Sequence, residues 1–303
     1  MVKLGKVIDN QGLFLLENYW HAMLCAVVLS LLPYTQWLSS ALIALITLRK
    51  GEREGGFMLL AVIGVHFIFS AARLPVNIAA VNTLIMFVPC FFAAYVLRIT
   101  ASWRMVAVSF LLMILILVVL LHIIAPNLIV LQYVMFKSLL NELHSDSNLL
   151  SFINNDNEAL QLTIANYLLG AQMVGLVFFA TLSLMLARLM QSRLFYQGGF
   201  KQEMYGFRAD KIMLVLLGVI ALSAYNEQLL AINILPLLML YFFLAGLSLS
   251  FSLLAKTKPA RTFILLFASL IILPYVVMPV CLIFGSLDSL FNFRLYLANR
   301  TGK

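Results

Sequence analysis

Arg73 stands alone in the segment Ser70–Asn77, which reads SAARLPVN and directly follows an apolar run. His66 lies seven residues earlier, on the same face of a helix, and Asn77 and Asn82 follow. Pro75 interrupts the helix there and frees backbone groups, which are tolerated at membrane depth only inside protein or beside water. A guanidinium in such a place has the fork needed to hold a carboxylate or phosphate. The chemistry offered by Arg73, His66, Asn77 and Asn82 is therefore recognition of a small anionic molecule in a polar pocket. The competing reading has Arg73 snorkelling to the interface while the asparagines bond between helices.

Other residues offer less. His122 sits near the end of an apolar run, before Pro126, and no second titratable group in that run would complete a proton relay. It reads as an interfacial or helix-bonded histidine. Asn166 and Gln172 read as hydrogen-bonding glue between helices. His144, Asp146, Asp156 and Glu158 carry cation-binding atoms, but their spacing matches no known loop, and no metal site is assigned. Cys25, Cys90 and Cys281 lie in apolar runs without CxxC spacing and read as small hydrophobes. There is no HExxH, no GxSxG, no phosphate-binding glycine loop and no carboxylate pair within an apolar run. The expectation is a protein with no catalysis, cofactor or ATP-driven step of its own.

The elements that must position these residues are membrane helices. Residues 105–125 read MVAVSFLLMILILVVLLHIIA, without a charge. A bilayer core of about 30 Å requires a helix of that length and purity. The whole chain has 303 residues, is 63% hydrophobic and only 11% charged, against about 25% in soluble domains. The expected fold is an all-α polytopic bundle of about eight to ten segments, some short or broken, forming a single integral membrane domain over 1–303. The segments fall at about 13–32, 35–48, 57–72, 76–97, 105–125, 161–187, 212–225, 229–255 and 263–285. The second is too short to cross unaided, and Pro274 and Pro279 interrupt the last. Leu-Pro-Tyr occurs at both 32–34 and 273–275, a faint hint of an internal repeat.

Charge sets the expected orientation. The net charge is +8, and the basic residues lie in loops between apolar runs, which argues for lipid headgroups and against nucleic acid. Arg49, Lys50 and Arg53; Arg98 and Arg104; Arg188, Arg193, Lys201, Arg208 and Lys211; and Lys256, Lys258 and Arg261 mark four cytoplasmic loops. Lys3 and Lys6 place the N-terminus with them. Segment 126–160 then faces out, with Leu128, Leu131, Met135 and Leu139 at helical spacing. That spacing suits an interfacial helix, or a cap over a cavity. A hairpin around Pro274 and Pro279 would return Arg294, Arg300 and Lys303 to the cytoplasm.

Two polar stretches close the reading. Leu194–Glu203 reads LFYQGGFKQE and leads to Phe207-Arg208 in the basic loop 188–211; Gly285–Arg294 reads GSLDSLFNFR. Gly198 and Gly199 allow a tight turn. Glu203 and Arg208 can pair, and Asp288 and Arg294 can cap a short terminal helix. These six residues are candidates for docking a partner, or for structural roles at the cytoplasmic face. With the opening double hairpin, the two stretches resemble bacterial membrane proteins catalogued as domain of unknown function 2232. The resemblance implies a bacterial inner-membrane protein and no established activity. That family is distantly similar to the substrate-binding S components of energy-coupling-factor vitamin transporters. Those bind one small molecule from outside and join a separate energising ATPase module. The expected function is transporter-like binding of a small molecule. The alternative is a membrane scaffold that recruits a partner through loop 188–211.

Overall fold

A computed structural model describes residues 11–124, 126–142, 158–254 and 259–294. Lys3, Lys6, His144, Asp146, Asp156, Lys256, Lys258, Arg300 and Lys303 lie outside the described residues. Those described form helices and no strand: α1 (Gln11–Glu17), α2 (Tyr19–Leu31), α3 (Gln36–Lys50), α4 (Glu52–Ala71), α5 (Val76–Thr100), α6 (Trp103–Ile124), α7 (Pro126–Glu142), α8 (Glu158–Phe195), α9 (Gly199–Gly206), α10 (Lys211–Tyr225), α11 (Leu229–Leu254), α12 (Pro259–Ile272) and α13 (Pro274–Phe291). Six of them, α4, α5, α6, α8, α11 and α13, are long and apolar enough to cross a membrane. The chain is thus an all-α, multi-pass membrane protein.

The expected segments that fall short of a crossing do so for visible reasons. The first is bent by 111° at Asn18, between α1 and α2. The second, α3, has fifteen residues, and nine of them are buried. It is short because it is a core helix, wrapped by α2, α4 and α5. The last segment breaks at Leu273-Pro274 into α12 and α13. In both Leu-Pro-Tyr tripeptides the proline starts a new direction, and Tyr34 and Tyr275 project almost fully exposed.

Packing divides the chain into two compact units, each discontinuous in sequence. The first holds residues up to Phe110 and Leu176–Met204; the second holds Leu111–Gly175 and Tyr205 onward. In the first unit, small polar residues join helices whose faces are otherwise apolar. Ser39 Oγ donates to the Ala26 carbonyl (2.7 Å), Ser40 Oγ to Met86 O (3.4 Å), and Ser183 Oγ to Trp37 O (2.8 Å). Such short hydroxyls let backbones approach and leave no unpaired group in an apolar setting.

In the second unit, α11 packs on α13 through glycine. A methyl group at Gly246 would coincide with the Cys281 carbonyl, and one at Gly285 with the Phe242 carbonyl. No other residue permits this approach. The α7 helix forms where the spacing predicts it, and it packs on the bundle through residues beside the apolar stripe. Ile129 and Tyr133 are buried, whereas Leu128, Leu131, Met135 and Leu139 are exposed. The apolar stripe therefore faces away from the bundle. The basic stretch 188–211 is also mostly helical. The α8 helix runs on to Phe195, because Arg188–Phe195 contains no breaker, and Gly198 at φ 88° ends it.

Candidate functional site

The four residues around Arg73 separate into two settings. His66 is buried, with Nδ1 2.9 Å from Thr83 Oγ1 and 3.4 Å from Ser70 Oγ, and its ring meets Phe87 edge-on. Arg73, Asn77 and Asn82 are exposed. The Arg73 guanidinium lies 4.1 Å above the Phe69 ring, and no hydrogen bond joins these three to His66. A seven-residue spacing puts His66 and Arg73 on one face, but α4 ends at Ala71, so Arg73 leaves the helical register.

At the other end of α4 the first unit gathers its basic loops. Arg98 Nη1 donates to Thr47 O at 2.8 Å and lies over Gly51, which closes α3 at φ 120°. Arg49 stacks on Phe195 at 3.9 Å, and Gln191 Nε2 reaches Leu48 O at 3.4 Å. Arg188 Nε sits 3.0 and 3.1 Å from the two Glu203 oxygens, and Trp103 Nε1 donates to Glu203 Oε2 at 2.9 Å. Glu203 is thus engaged within the unit. Gly198 lines a shallow open pocket of about 400 Å³, with Ser192, Arg193, Gln197, Phe200, Lys201 and Leu189. Gly199 begins α9 beside it.

In the second unit the Phe207-Arg208 end of the first polar stretch meets the second stretch, Gly285–Arg294. Arg208 donates from Nε to the Asp288 carbonyl (2.7 Å) and from Nη2 to the Ser289 carbonyl (2.8 Å). Arg294 donates to the carbonyls of Tyr205 and Phe207 and to Ser248 Oγ, the last two at 2.7 and 3.1 Å. Its Nε lies 3.3 Å from Asp288 Oδ2, a carboxylate only 1% exposed. Burial lowers the basicity of Arg294, and the Asp288 charge opposes that. The two arginines satisfy free carbonyls near the end of α13 and in the 205–208 turn. This also brings the end of α13 beside Ser248 of α11; the chain breaks at Leu273-Pro274 into α12 and α13, whereas α13 runs on through Pro279.

The opposite end of the second unit holds a polar trio from three membrane-length helices. His122 on α6 has Nδ1 2.8 Å from the Val118 carbonyl and Nε2 3.1 Å from Asn166 Oδ1 on α8. Asn233 on α11 donates from Nδ2 to Asn166 Oδ1 at 2.7 Å and to Leu229 O at 2.8 Å. Asn166 Nδ2 is used on Leu162 O at 2.8 Å. Asn166 and Asn233 are fully buried, and Asn233 Oδ1 has no hydrogen-bond partner. Turning the Asn166 amide over would set its oxygen against the Leu162 carbonyl, so the arrangement is directional.

The trio leaves one acceptor, Asn233 Oδ1, without a donor. A neutral imidazole carries one N–H and can satisfy only one of its two oxygen neighbours. Pro236, three residues past Asn233, has no N–H, which leaves the Ile232 carbonyl without its usual helical donor. Gly170 on α8 packs against the backbone of Ile232 and Asn233, holding the helices close at this point. Asn166 acts as glue between helices, as its sequence suggested, and Gln172 does the same by donating to Gln132 Oε1 at 2.6 Å. Asn233 was not singled out by the sequence reading. Its signal was an asparagine in the apolar run LLAINILPLL, just ahead of a proline.

No family model matches this chain, and no curated protein or solved structure matches it.

Proposed function

We propose that this chain is a transporter-like membrane protein that binds a small donor-bearing molecule at His122, Asn166 and Asn233 and performs no catalysis itself. One observation carries the reading: Asn233 Oδ1 is fully buried without a donor, beside a histidine whose ring nitrogens both face oxygen. An unsatisfied acceptor in an apolar bundle costs about 1–3 kcal/mol. An ammonium group or a hydroxylated molecule supplies the missing donors. Polar groups on several spanning helices, next to a proline-interrupted one, are the usual makings of a transport site. The ligand class thereby differs from the anion expected at Arg73.

The resemblance of Leu194–Arg208 and Gly285–Arg294 to the family of unknown function supports the same reading. It favours a bacterial inner membrane, with the basic loops in the cytoplasm and a separate energising partner. The scaffold alternative has less behind it, because Glu203, Arg208, Asp288 and Arg294 all bond within the chain.

The test is thermal stabilisation of the purified full chain by amines, amino alcohols and polyols, with small carboxylates and phosphates in parallel. Donor-bearing compounds should stabilise the wild type, and Asn233→Leu should weaken that binding by about tenfold or more. Arg73→Gln should leave it unchanged. A wild-type ligand bound at full affinity by Asn233→Leu would sink the proposal. Stabilisation by anions alone, lost in Arg73→Gln, would return the site to Arg73.

A further inference from the structure

We infer that the polar trio holds a proton on His122 and releases it when a cationic ligand binds, so that the site exchanges one cation for one proton. The exchange rests on the ligand site proposed above, and adds to it the charge of the ligand and what leaves in its place.

Helix backbone sets the direction of every hydrogen bond in the trio. Asn166 Nδ2 is turned to the Leu162 carbonyl and Asn233 Nδ2 to the Leu229 carbonyl, each at 2.8 Å and four residues back along its own helix. Their Oδ1 atoms are left to the cluster as acceptors. His122 Nε2 meets one of these, Asn166 Oδ1, at 3.1 Å, and Nδ1 meets the Val118 carbonyl at 2.8 Å. Neither oxygen has a hydrogen to give. In either neutral tautomer one ring nitrogen turns a lone pair on an oxygen within hydrogen-bond distance. The imidazolium, with two N–H groups, satisfies both. That proton completes one part of the network and leaves Asn233 Oδ1 unpaired, because the Asn233 amide hydrogens are already spent on Asn166 Oδ1 and Leu229 O.

An ammonium ligand on Asn233 Oδ1 stands two hydrogen bonds from the imidazole, and two like charges that close in a buried apolar setting repel. The proton is the one that leaves, since His122 is half-buried whereas Asn166 and Asn233 are fully buried. One ring N–H gives its proton to water and keeps its electron pair, and the ligand keeps its three N–H hydrogens, so the site carries one positive charge before and after. A neutral hydroxyl meets no such repulsion and displaces no proton. No other charge is bonded into the trio. Between Arg104 and His122, α6 has no titratable side chain. Glu158 and Tyr167 share α8 with Asn166; Tyr133, Lys137 and Glu142 lie on α7; Tyr225 ends α10, Glu227 precedes α11 and Tyr275 begins α13. The hydrogen bonds of His122, Asn166 and Asn233 reach none of them.

The experiment uses the purified full chain in detergent, with methylammonium as the cationic probe and glycerol as the neutral one. Binding is measured by calorimetry in buffers of different ionisation heat, which counts the protons released. Nitrogen-15 NMR of the ligand-free, histidine-labelled chain follows the ring over about pH 5–8, where imidazoles change charge. The His122 signals, identified by their loss in His122→Gln, should pass from two N–H groups to one as pH rises. Methylammonium affinity should rise with pH, by about tenfold per unit where His122 is protonated, with one proton released per cation bound. Glycerol affinity should stay level, and His122→Gln should level the methylammonium profile. Should His122→Gln fold poorly, the wild-type profile and proton count still decide. Methylammonium binding that is level in pH, a slope that His122→Gln keeps, or binding of glycerol alone would overturn the exchange and leave the ligand site standing. Binding of neither probe at any pH would sink both.

Discussion

The second unit carries two polar clusters roughly 22 Å apart along α11, from Asn233 to Ser248, and they are closed to different degrees. Around Arg294, two guanidinium groups, a buried carboxylate and a row of backbone carbonyls meet. Asp288 is paired with Arg294 at 3.3 Å, and Arg208 is held by two backbone carbonyls, so each charge there has a partner from the chain itself. Around Asn233 the groups are amides and an imidazole, and one oxygen acceptor, Asn233 Oδ1, has no donor. A cluster closed by its own chain holds the fold. A cluster left one donor short can take that donor from a ligand, and its removal costs the fold little.

The sharpest way to break this comparison is Arg294→Ala. It leaves Asp288 buried without its cation and should destabilise the protein by about 3–5 kcal/mol, read as a fall in unfolding temperature in detergent. Adding Asp288→Asn should recover part of the loss, because the stranded charge is gone. A cost below that of an ordinary surface substitution would mean the network is decorative.

Gly285→Ala comes next. Its methyl group must push α13 away from the Phe242 carbonyl, three residues before Asp288, and should cost about 1–3 kcal/mol. Unchanged stability would show that the helices separate without loss, and that glycine packing does not hold the network.

Asn233→Leu at the other cluster should change stability by no more than about 1 kcal/mol. It removes two hydrogen bonds and, offsetting part of their loss, an unsatisfied acceptor. A loss as large as that of Arg294→Ala would make the trio structural and erase the contrast. Smallest of all, Arg73→Gln should stay within about 0.5 kcal/mol, since it deletes an exposed cation stacked on Phe69. A larger effect would reveal a role that neither cluster accounts for.

Much of the fold is legible in the sequence, because hydropathy and proline placement act over a single turn or a single crossing. The uncharged run 105–125 specifies α6, Pro274 breaks the last segment, and Gly198 ends α8 where the polar stretch begins. The short length of α3 is legible too, but its reason is not. Fourteen or fifteen apolar residues read equally as a thin crossing or a core helix, and only the neighbours α2, α4 and α5 decide between them. The α7 helix shows the same limit. Its period is in the sequence, yet Ile129 and Tyr133 turn inward while the more regular stripe faces away.

By itself, then, the sequence determined that this is a multi-pass helical membrane protein, where most of its apolar segments lie, and that polar residues inside them need partners. Those properties follow from the dielectric of the bilayer and the reach of a helical turn, both of which act locally. Which partners the polar residues find was decided by tertiary structure alone. His122 meets Asn166 across 44 positions, Asn166 meets Asn233 across 67, and Arg208 meets Asp288 across 80. These meetings depend on how closely backbones approach at Gly170, Gly246 and Gly285. A hydrogen bond forms or fails within a few tenths of an ångström, and no local pattern of residues sets a distance between helices that finely.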